Sequence, residues 1–197
     1  MLVTGQSLEE YFKNALAGAF RRTAVQVTVN AEAYLVALLS EYARSENVFA
    51  GLAHGEKPAL VLLWHRAQEA SPSESLRILK HLGDTSLYTL GFFREAKNTQ
   101  FLGADYYASW GETAYGSVAS MVRAQAAMNA ALYTELAERF LDLAQVLYCI
   151  SQEAVSNAGD PVQLLELVEL YKRTKDPKIL EQLTHLGMAI AVNDDVT

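Results

Sequence analysis

Apolar residues recur at alternating intervals of three and four along much of this chain, which is the spacing of one face of an α-helix. One such row consists of Tyr133, Leu136, Phe140, Leu143, Leu147, Ile150 and Ala154. A similar row precedes it and consists of Tyr107, Trp110, Ala114, Ser117, Met121, Ala124 and Met128. Rows of this kind pack helix against helix. They predict either an antiparallel helix pair or one long helix that continues through Asn129.

Helix start signals divide the rest of the chain. Ser7 to Glu10 and Ser71 to Glu74 each fit a capping box, in which a serine hydroxyl and a glutamate three residues later satisfy backbone amides. The patterns predict helices near residues 7–20, 31–45, 59–70, 72–92, 104–128, 130–157, 161–173 and 177–186. The predicted fold class is therefore all-α, a single-domain bundle of about eight helices.

The 197 residues have the length of one ordinary domain, so we expect a single helical domain over residues 1–187. Within it, residues 1–158 are predicted to form the main bundle and residues 160–187 a C-terminal helical hairpin. Residues 188–197 are expected to be a flexible acidic tail.

A short segment near residues 23–29 departs from the helical spacing. Val25, Val27 and Val29 alternate with polar residues in the two-residue period of an extended strand, and no second strand is evident. Such a segment can serve as a connector packed on the bundle. It can also pair with its copy in another subunit, because an isolated edge presents unsatisfied amides and carbonyls. These three valines are therefore candidate interface residues of a homodimer.

Aromatic residues and glycines are concentrated between His81 and Gly116, where eight aromatics and five of the eleven glycines are interleaved. Glycine inside a helix costs roughly 1 kcal/mol relative to alanine, so its repeated use indicates that something approaches the backbone closely. A neighbouring helix, a large ring or a ligand would each meet that requirement.

Two candidate sites follow from this region. His81, Asp84 and Tyr88 share one helical face, where Asp84 could accept a hydrogen bond from either neighbour and support proton transfer, or fix helix packing as a polar network. The second candidate is an aromatic cavity for a flat or acyl ligand, as an alternative to ordinary core packing. Its residues are Tyr88, Phe92, Tyr107, Trp110 and Tyr115, bordered by Asp105 and Glu112.

No metal or cofactor is predicted. His65 and Glu69 are four residues apart, as are Glu181 and His185, but two ligands do not make a site. A helical di-iron centre would need Glu-x-x-His pairs on two helices, and phosphate-loop, zinc and hydrolase motifs are also missing from the sequence. Cys149 lies in an apolar run and is expected to be a buried small hydrophobe.

Composition narrows the classes of partner. The net charge of -7 opposes phosphate binding, so nucleic acid is not an expected partner. No apolar run is long enough to cross a bilayer, and the N-terminus does not have the pattern of a signal peptide, which predicts a cytoplasmic protein without membrane insertion.

Three segments resemble a family of bacterial all-helical proteins that has no assigned activity. They are VTVNAEAYLVALLSEYAR (27–44), LRILKHLGDTSLYTLGFF (76–93) and DYYASWGETAYG (105–116), and the block LLELVELYKRTKDPKILEQLTHLG is also similar. The resemblance covers most of residues 25–187. It implies a shared fold and assigns no catalytic residue.

The sequence is therefore compatible with three functions. The first is a cytoplasmic non-enzymatic interaction or scaffold protein that binds a protein partner or itself through a helical surface. The alternative is a small-molecule-binding helical domain with an aromatic pocket formed by residues 81–116. The third is an enzyme that uses His81 and Asp84.

Overall fold

The computed structural model describes residues 7–44, 60–94, 102–123 and 127–158 of the chain. Within these ranges the chain forms seven α-helices and no β-strand, which confirms the predicted all-α class. The helices are α1 (Leu8–Thr23), α2 (Val29–Arg44), α3 (Leu60–Glu69), α4 (Pro72–Phe92), α5 (Ala104–Val122), α6 (Ala127–Glu138) and α7 (Phe140–Ala158). The predicted helices near 161–173 and 177–186, the hairpin they form and the tail at 188–197 lie outside the described residues.

Two helix starts follow from local capping chemistry. The side chain of Ser7 accepts a hydrogen bond from the amide of Glu10 at 3.2 Å, which satisfies one of the free donors at the start of α1. Ser71 has an extended backbone at the N-cap of α4, and Pro72 takes the first helical position. Both starts were predicted from these serines.

The two apolar rows form an antiparallel pair. α5 ends at Val122 and α6 begins at Ala127, so the chain reverses before Asn129. Tyr115 of α5 then lies beside Tyr133 of α6, with ring centroids 6.1 Å apart. The helix predicted over 104–128 is therefore shorter than expected, and Met128, the last residue of its apolar row, belongs to α6.

The helix predicted over 130–157 is divided at Arg139 into α6 and α7. The amide of Arg139 still donates to the carbonyl of Glu135 at 3.0 Å, and the amide of Leu143 donates to the carbonyl of Arg139 at 2.9 Å. Arg139 therefore closes the last turn of α6 with its amide and opens the first turn of α7 with its carbonyl.

α4 is the central helix of the described bundle. It packs against α3, α5 and α7, and every residue from Leu82 to Gly91 is buried. α4 contains four buried polar residues, Asp84, Thr85, Ser86 and Thr89, and all but Thr89 have a hydrogen-bond partner for the side chain. Of the functional candidates on α4, Asp84 and Tyr88 are therefore part of the core.

Glycines allow large side chains to reach the helix backbones. A methyl group added at Gly83 would stand 2.6 Å from the ring of Tyr115. One added at Gly111 would enter the ring of Phe140, and one at Gly91 would overlap Leu147 of α7. The close approach predicted from the sequence is thus made by two aromatic rings and a neighbouring helix.

The segment predicted to be extended near residues 23–29 is shorter in the structure. Thr23 ends α1, Ala24 adopts a left-handed conformation with φ of 55°, and Val29 already belongs to α2. Residues 25–28 form a non-helical connection between the two helices. No helix in the described part of the chain is both long and apolar enough to cross a bilayer.

Candidate functional site

Asp84 is the centre of a buried polar cluster at the junction of α2, α4 and α5. Its side chain is almost fully enclosed. Oδ1 accepts hydrogen bonds from the hydroxyls of Tyr34 at 2.5 Å and Tyr115 at 2.8 Å. Oδ2 accepts from Nζ of Lys80 at 2.6 Å. We call Asp84, Lys80, Tyr34 and Tyr115 the Asp84 cluster.

Each member is positioned by a simple feature of the sequence. Lys80 and Asp84 are one helical turn apart on α4, so their side chains meet on one face. The missing side chain of Gly83 leaves room for the ring of Tyr115. Tyr34 reaches the cluster from α2, where its ring lies edge-on to that of Tyr115 at 6.2 Å.

The cluster balances the charge that it buries. The side chain of Asp84 is 5% exposed and that of Lys80 is 36% exposed, so the ion pair extends from the core to the surface. The ammonium group also lies 5.2 Å from the centroid of the Tyr34 ring. Because both carboxylate oxygens are occupied by donors, Asp84 is held as a satisfied structural anion.

The environment shifts the proton affinities of the surrounding groups. Burial, followed by the charge of Asp84, raises the pKa of Tyr34 well above its usual range, and the same two causes raise the pKa of Tyr115. Burial alone would lower the pKa of Lys80, but the charge of Asp84 and its hydrogen bond outweigh it, so that pKa is raised. The tyrosines therefore stay neutral donors and the lysine stays charged at neutral pH.

These shifts predict a loss of stability in alkali. Above pH 10, tyrosines of the unfolded chain ionise while Tyr34 and Tyr115 keep their protons in the folded state, so the free energy of unfolding falls as pH rises. Lys80 acts in the same direction, because the stability it contributes is present below its unfolded pKa and is lost as pH rises through the folded value. Each retained tyrosine proton contributes a slope of about 1.4 kcal/mol per pH unit.

Tyr34→Phe removes one of these protons. We expect its free energy of unfolding, measured with urea, to fall less steeply between about pH 10.5 and 11.5 than that of the unsubstituted protein, by about 1.4 kcal/mol per pH unit. Equal slopes for the two proteins would contradict the assignment of Tyr34 as a neutral donor to Asp84.

The structure separates the three polar residues predicted to share a face. His81 is exposed, whereas Asp84 and Tyr88 are buried. Tyr88 stacks on Phe92 with ring centroids 4.8 Å apart and contacts Tyr42 of α2 at 4.6 Å. Burial raises the pKa of Tyr88 above its usual range. The polar network around Asp84 therefore takes its donors from Lys80 on the same helix, Tyr34 on α2 and Tyr115 on α5, instead of the predicted His81 and Tyr88.

The residues predicted to form an aromatic pocket differ in how deeply they are buried. Tyr107 and Tyr115 are buried in the main core, and Phe92 and Trp110 are half-buried against it. Trp110 lies 5.8 Å from the ring of Trp64 on α3, between centroids. Asp105 and Glu112, the predicted borders of the pocket, are both exposed.

Side-chain hydrogen bonds attach the connection formed by residues 25–28 to α6 and to Arg139, which lies between α6 and α7. The guanidinium group of Arg139 donates to the carbonyl of Gln26. The amide and hydroxyl of Thr28 donate to the carboxylate of Glu135 at 2.8 and 2.5 Å. Val25 and Val27 pack against the core, while Val29 is 81% exposed. These contacts are those of a packed connector, and the pairing of Val25, Val27 and Val29 with a second subunit stays a prediction.

An open groove of about 540 Å³ lies beside this connection. Its walls come from the start of α2 and from one face of α6, and we call it the α6 groove. Met128, 68% exposed, and Ala131 contribute apolar surface, and the charged lining residues are Arg123, which follows α5, and Glu135 and Glu138 of α6. The sequence does not predict this groove, because the spacing of Met128 fits a row of apolar residues that pack against another helix.

Among the described residues, no group of three or more histidine, cysteine, aspartate or glutamate side chains is placed to hold a metal ion. Comparisons with models of known protein families, with curated proteins and with solved structures give no significant match.

Proposed function

We propose that this chain is a non-enzymatic helical interaction protein that binds another protein surface through the α6 groove. The observation that carries the proposal is the exposure of a large apolar side chain, Met128, in this groove. Met128 lines the groove at 68% exposure, and the exposed Ala127 and Ala131 add apolar surface beside it. Apolar surface grouped in a concave site beside charged residues is typical of a contact surface.

The interior supports the same proposal. The Asp84 cluster satisfies its own carboxylate with three donors, which suits an anchor for helix packing better than a reactive group. The tight fit of rings against Gly83 and Gly111 fills the space between α4, α5 and α7. Binding is therefore assigned to the outer surface of α6.

We also propose a cytoplasmic location for the chain. The proposal further includes the absence of nucleic acid among the partners, since a chain with a net charge of -7 repels phosphates.

The alternative function, a small-molecule pocket formed by the aromatics of residues 81–116, stays a prediction. The burial of Tyr88, Tyr107 and Tyr115 in the core favours packing for these three residues. Native mass spectrometry tests the alternative, because a copurified ligand of such a pocket would appear as excess mass that is lost on denaturation.

Substitution of Met128 by lysine tests the proposed function. The charge should reduce association through the groove at least about tenfold and leave the fold intact, because the side chain is exposed. Leu62→Lys is the matched control, since Leu62 on α3 is also apolar and is 60% exposed. Affinity capture from the producing cells and sedimentation velocity of the purified proteins give the readout.

We expect bound proteins, or self-association, in the unsubstituted chain and in Leu62→Lys, and their loss in Met128→Lys. Equal association by all three proteins would contradict the assignment to the groove, and so would the lack of any association by the unsubstituted chain.

A further inference from the structure

We infer that residues 25–28, which connect α1 to α2, act as a strap that fixes the shape of the α6 groove and thereby controls how tightly a partner binds there. This inference rests on the proposed function and concerns the regulation of the same site. It is carried by the side chains of Glu135 and Arg139, which attach the strap to the bundle, and by Thr28, which belongs to the strap and also lines the groove.

Thr28 joins the two walls of the groove. Its amide and hydroxyl donate to the two carboxylate oxygens of Glu135, and both residues line the groove, Thr28 just before α2 and Glu135 on α6. The same hydroxyl accepts from the amide of Ala31 at 3.3 Å, and the carbonyl of Thr28 accepts from the amide of Glu32 at 3.0 Å. Thr28 therefore caps α2 while α6 holds it, so the separation of the two walls depends on Glu135.

Arg139 attaches the strap at a second point, outside the groove. Its guanidinium group donates to the carbonyl of Gln26 and also contacts the carboxylate of Asp142 at 3.1 Å. The amide of Arg139 donates to the carbonyl of Glu135, so the two attaching side chains are one helical turn apart. Arg139 does not line the groove, so it acts on a bound partner through the strap and not by contact.

The strap follows a residue in an unfavourable conformation. Ala24 has a φ of 55°, in the left-handed region that disfavours a residue with a Cβ atom. A conformation of this kind persists where surrounding contacts hold it. Gln26 and Thr28, the two attached residues, are exposed. Hydrogen bonds at the protein surface therefore keep the strap in place against local strain.

A fixed strap favours binding, because the groove then has its shape before a partner arrives. A site that must first be ordered loses part of its binding free energy to the conformational entropy of the ordered segment. Release of Thr28 from Glu135 frees the start of α2 to move relative to α6. Loss of either attachment therefore weakens binding, although Met128, the exposed apolar residue of the groove, is unchanged.

Amide hydrogen exchange of the full chain, followed by NMR, tests whether the strap is held as one unit. Glu135→Ala removes the acceptor of the Thr28 amide, and we expect that amide to exchange at least about fivefold faster. Arg139→Met keeps a long side chain but removes the donors to the strap, and should accelerate the same amide at least about threefold. Glu138→Ala is the control, because it removes a carboxylate that lines the groove and is not bonded to the strap in the described structure. It should leave the exchange rate within about twofold of the original.

Affinity capture and sedimentation velocity, as for Met128→Lys, measure the effect on binding. Arg139→Met and Asp142→Ala form the decisive pair, because neither residue lines the groove. We expect Arg139→Met to weaken binding at least about threefold. Asp142→Ala removes the carboxylate beside Arg139 and leaves the donation to Gln26, so its binding should stay within about twofold of the original. Circular dichroism confirms that each variant is folded.

Equal exchange of the Thr28 amide in the unsubstituted chain and in Glu135→Ala would overturn the inference, because Glu135 would then not hold the strap. Faster exchange in Arg139→Met with unchanged Met128-dependent binding would overturn the control of the groove by the strap and leave the proposed function standing. The same holds if Asp142→Ala weakens binding as much as Arg139→Met does. An unsubstituted chain without Met128-dependent binding would contradict the proposed function and the inference together.

Discussion

Replacing Asp84 by asparagine should lower the free energy of unfolding by about 3 kcal/mol. The substitution keeps the shape of the side chain but removes the charge that holds Nζ of Lys80 at 2.6 Å. The carboxylate accepts hydrogen bonds on both of its oxygens, whereas the asparagine amide has one accepting oxygen and one donating nitrogen. The amide therefore cannot accept from the two tyrosine hydroxyls and from Lys80 as the carboxylate does. Urea denaturation at pH 7, followed by far-UV circular dichroism, measures the change.

Asp105→Asn is the matched control, because it makes the same chemical change at an exposed position of α5. It should change the free energy of unfolding by less than about 0.5 kcal/mol. Asp84→Asn with a loss that small would mean that the Asp84 cluster contributes little to the fold, which would contradict its role as the anchor of α2, α4 and α5.

Replacing Gly111 by alanine should lower the free energy of unfolding by about 3 kcal/mol. The added methyl group would enter the ring of Phe140, which is fully buried, so the ring or the helices must shift to accept it. For a chain of this size, the loss corresponds to a decrease of roughly 6–12 °C in Tm. Differential scanning calorimetry or thermal circular dichroism measures it.

Gly116→Ala on the same helix should have the opposite sign. No atom lies within 4 Å of a methyl group added there, so only the helix propensity changes, and a gain of roughly 0.5–1 kcal/mol is expected. The pair separates packing from propensity within α5. Equal effects of the two substitutions would show that the ring of Phe140 is not seated against the backbone of Gly111.

The helix starts were readable from the sequence because capping is local. Ser7 satisfies the amide of Glu10 within one turn. Ser71 precedes α4 with an extended backbone and Pro72 takes the first helical position, although the Ser71 side chain makes no capping hydrogen bond. The break at Arg139 could not be predicted, because the three- and four-residue apolar spacing continues across it. The reversal before Asn129 was one of two alternatives that the apolar rows left open.

The Asp84 cluster could be predicted only in part. Lys80 stands four residues before Asp84, a spacing that is typical of an ion pair. The helical spacing of His81 and Tyr88 predicts that they are the neighbours of Asp84 instead. Tyr34 lies 50 residues away in sequence, so its contact depends on how α2 packs against α4. Helical spacing shows which residues share a face, and only the tertiary fold shows what that face meets.

The role of the glycines could likewise be predicted only in part. Their number in a helical region indicated close approach to the backbone, but the identity of the approaching group depended on the packing of α5 and α7. The α6 groove could not be predicted at all, since Met128 fits an apolar packing row and its exposure is decided by what the fold leaves uncovered.

The most direct test of the central claim is oxidative footprinting of Met128 in the cells that produce the protein, compared with the purified protein at high dilution. Methionine oxidises readily where solvent reaches it, so its labelling reports whether the α6 groove is covered. We expect Met128 to be protected at least about fivefold in cells relative to the dilute protein, and exposed Leu62 to be labelled equally in both. Equal labelling of Met128 in cells and in dilute solution would contradict the assignment of the α6 groove as the contact surface.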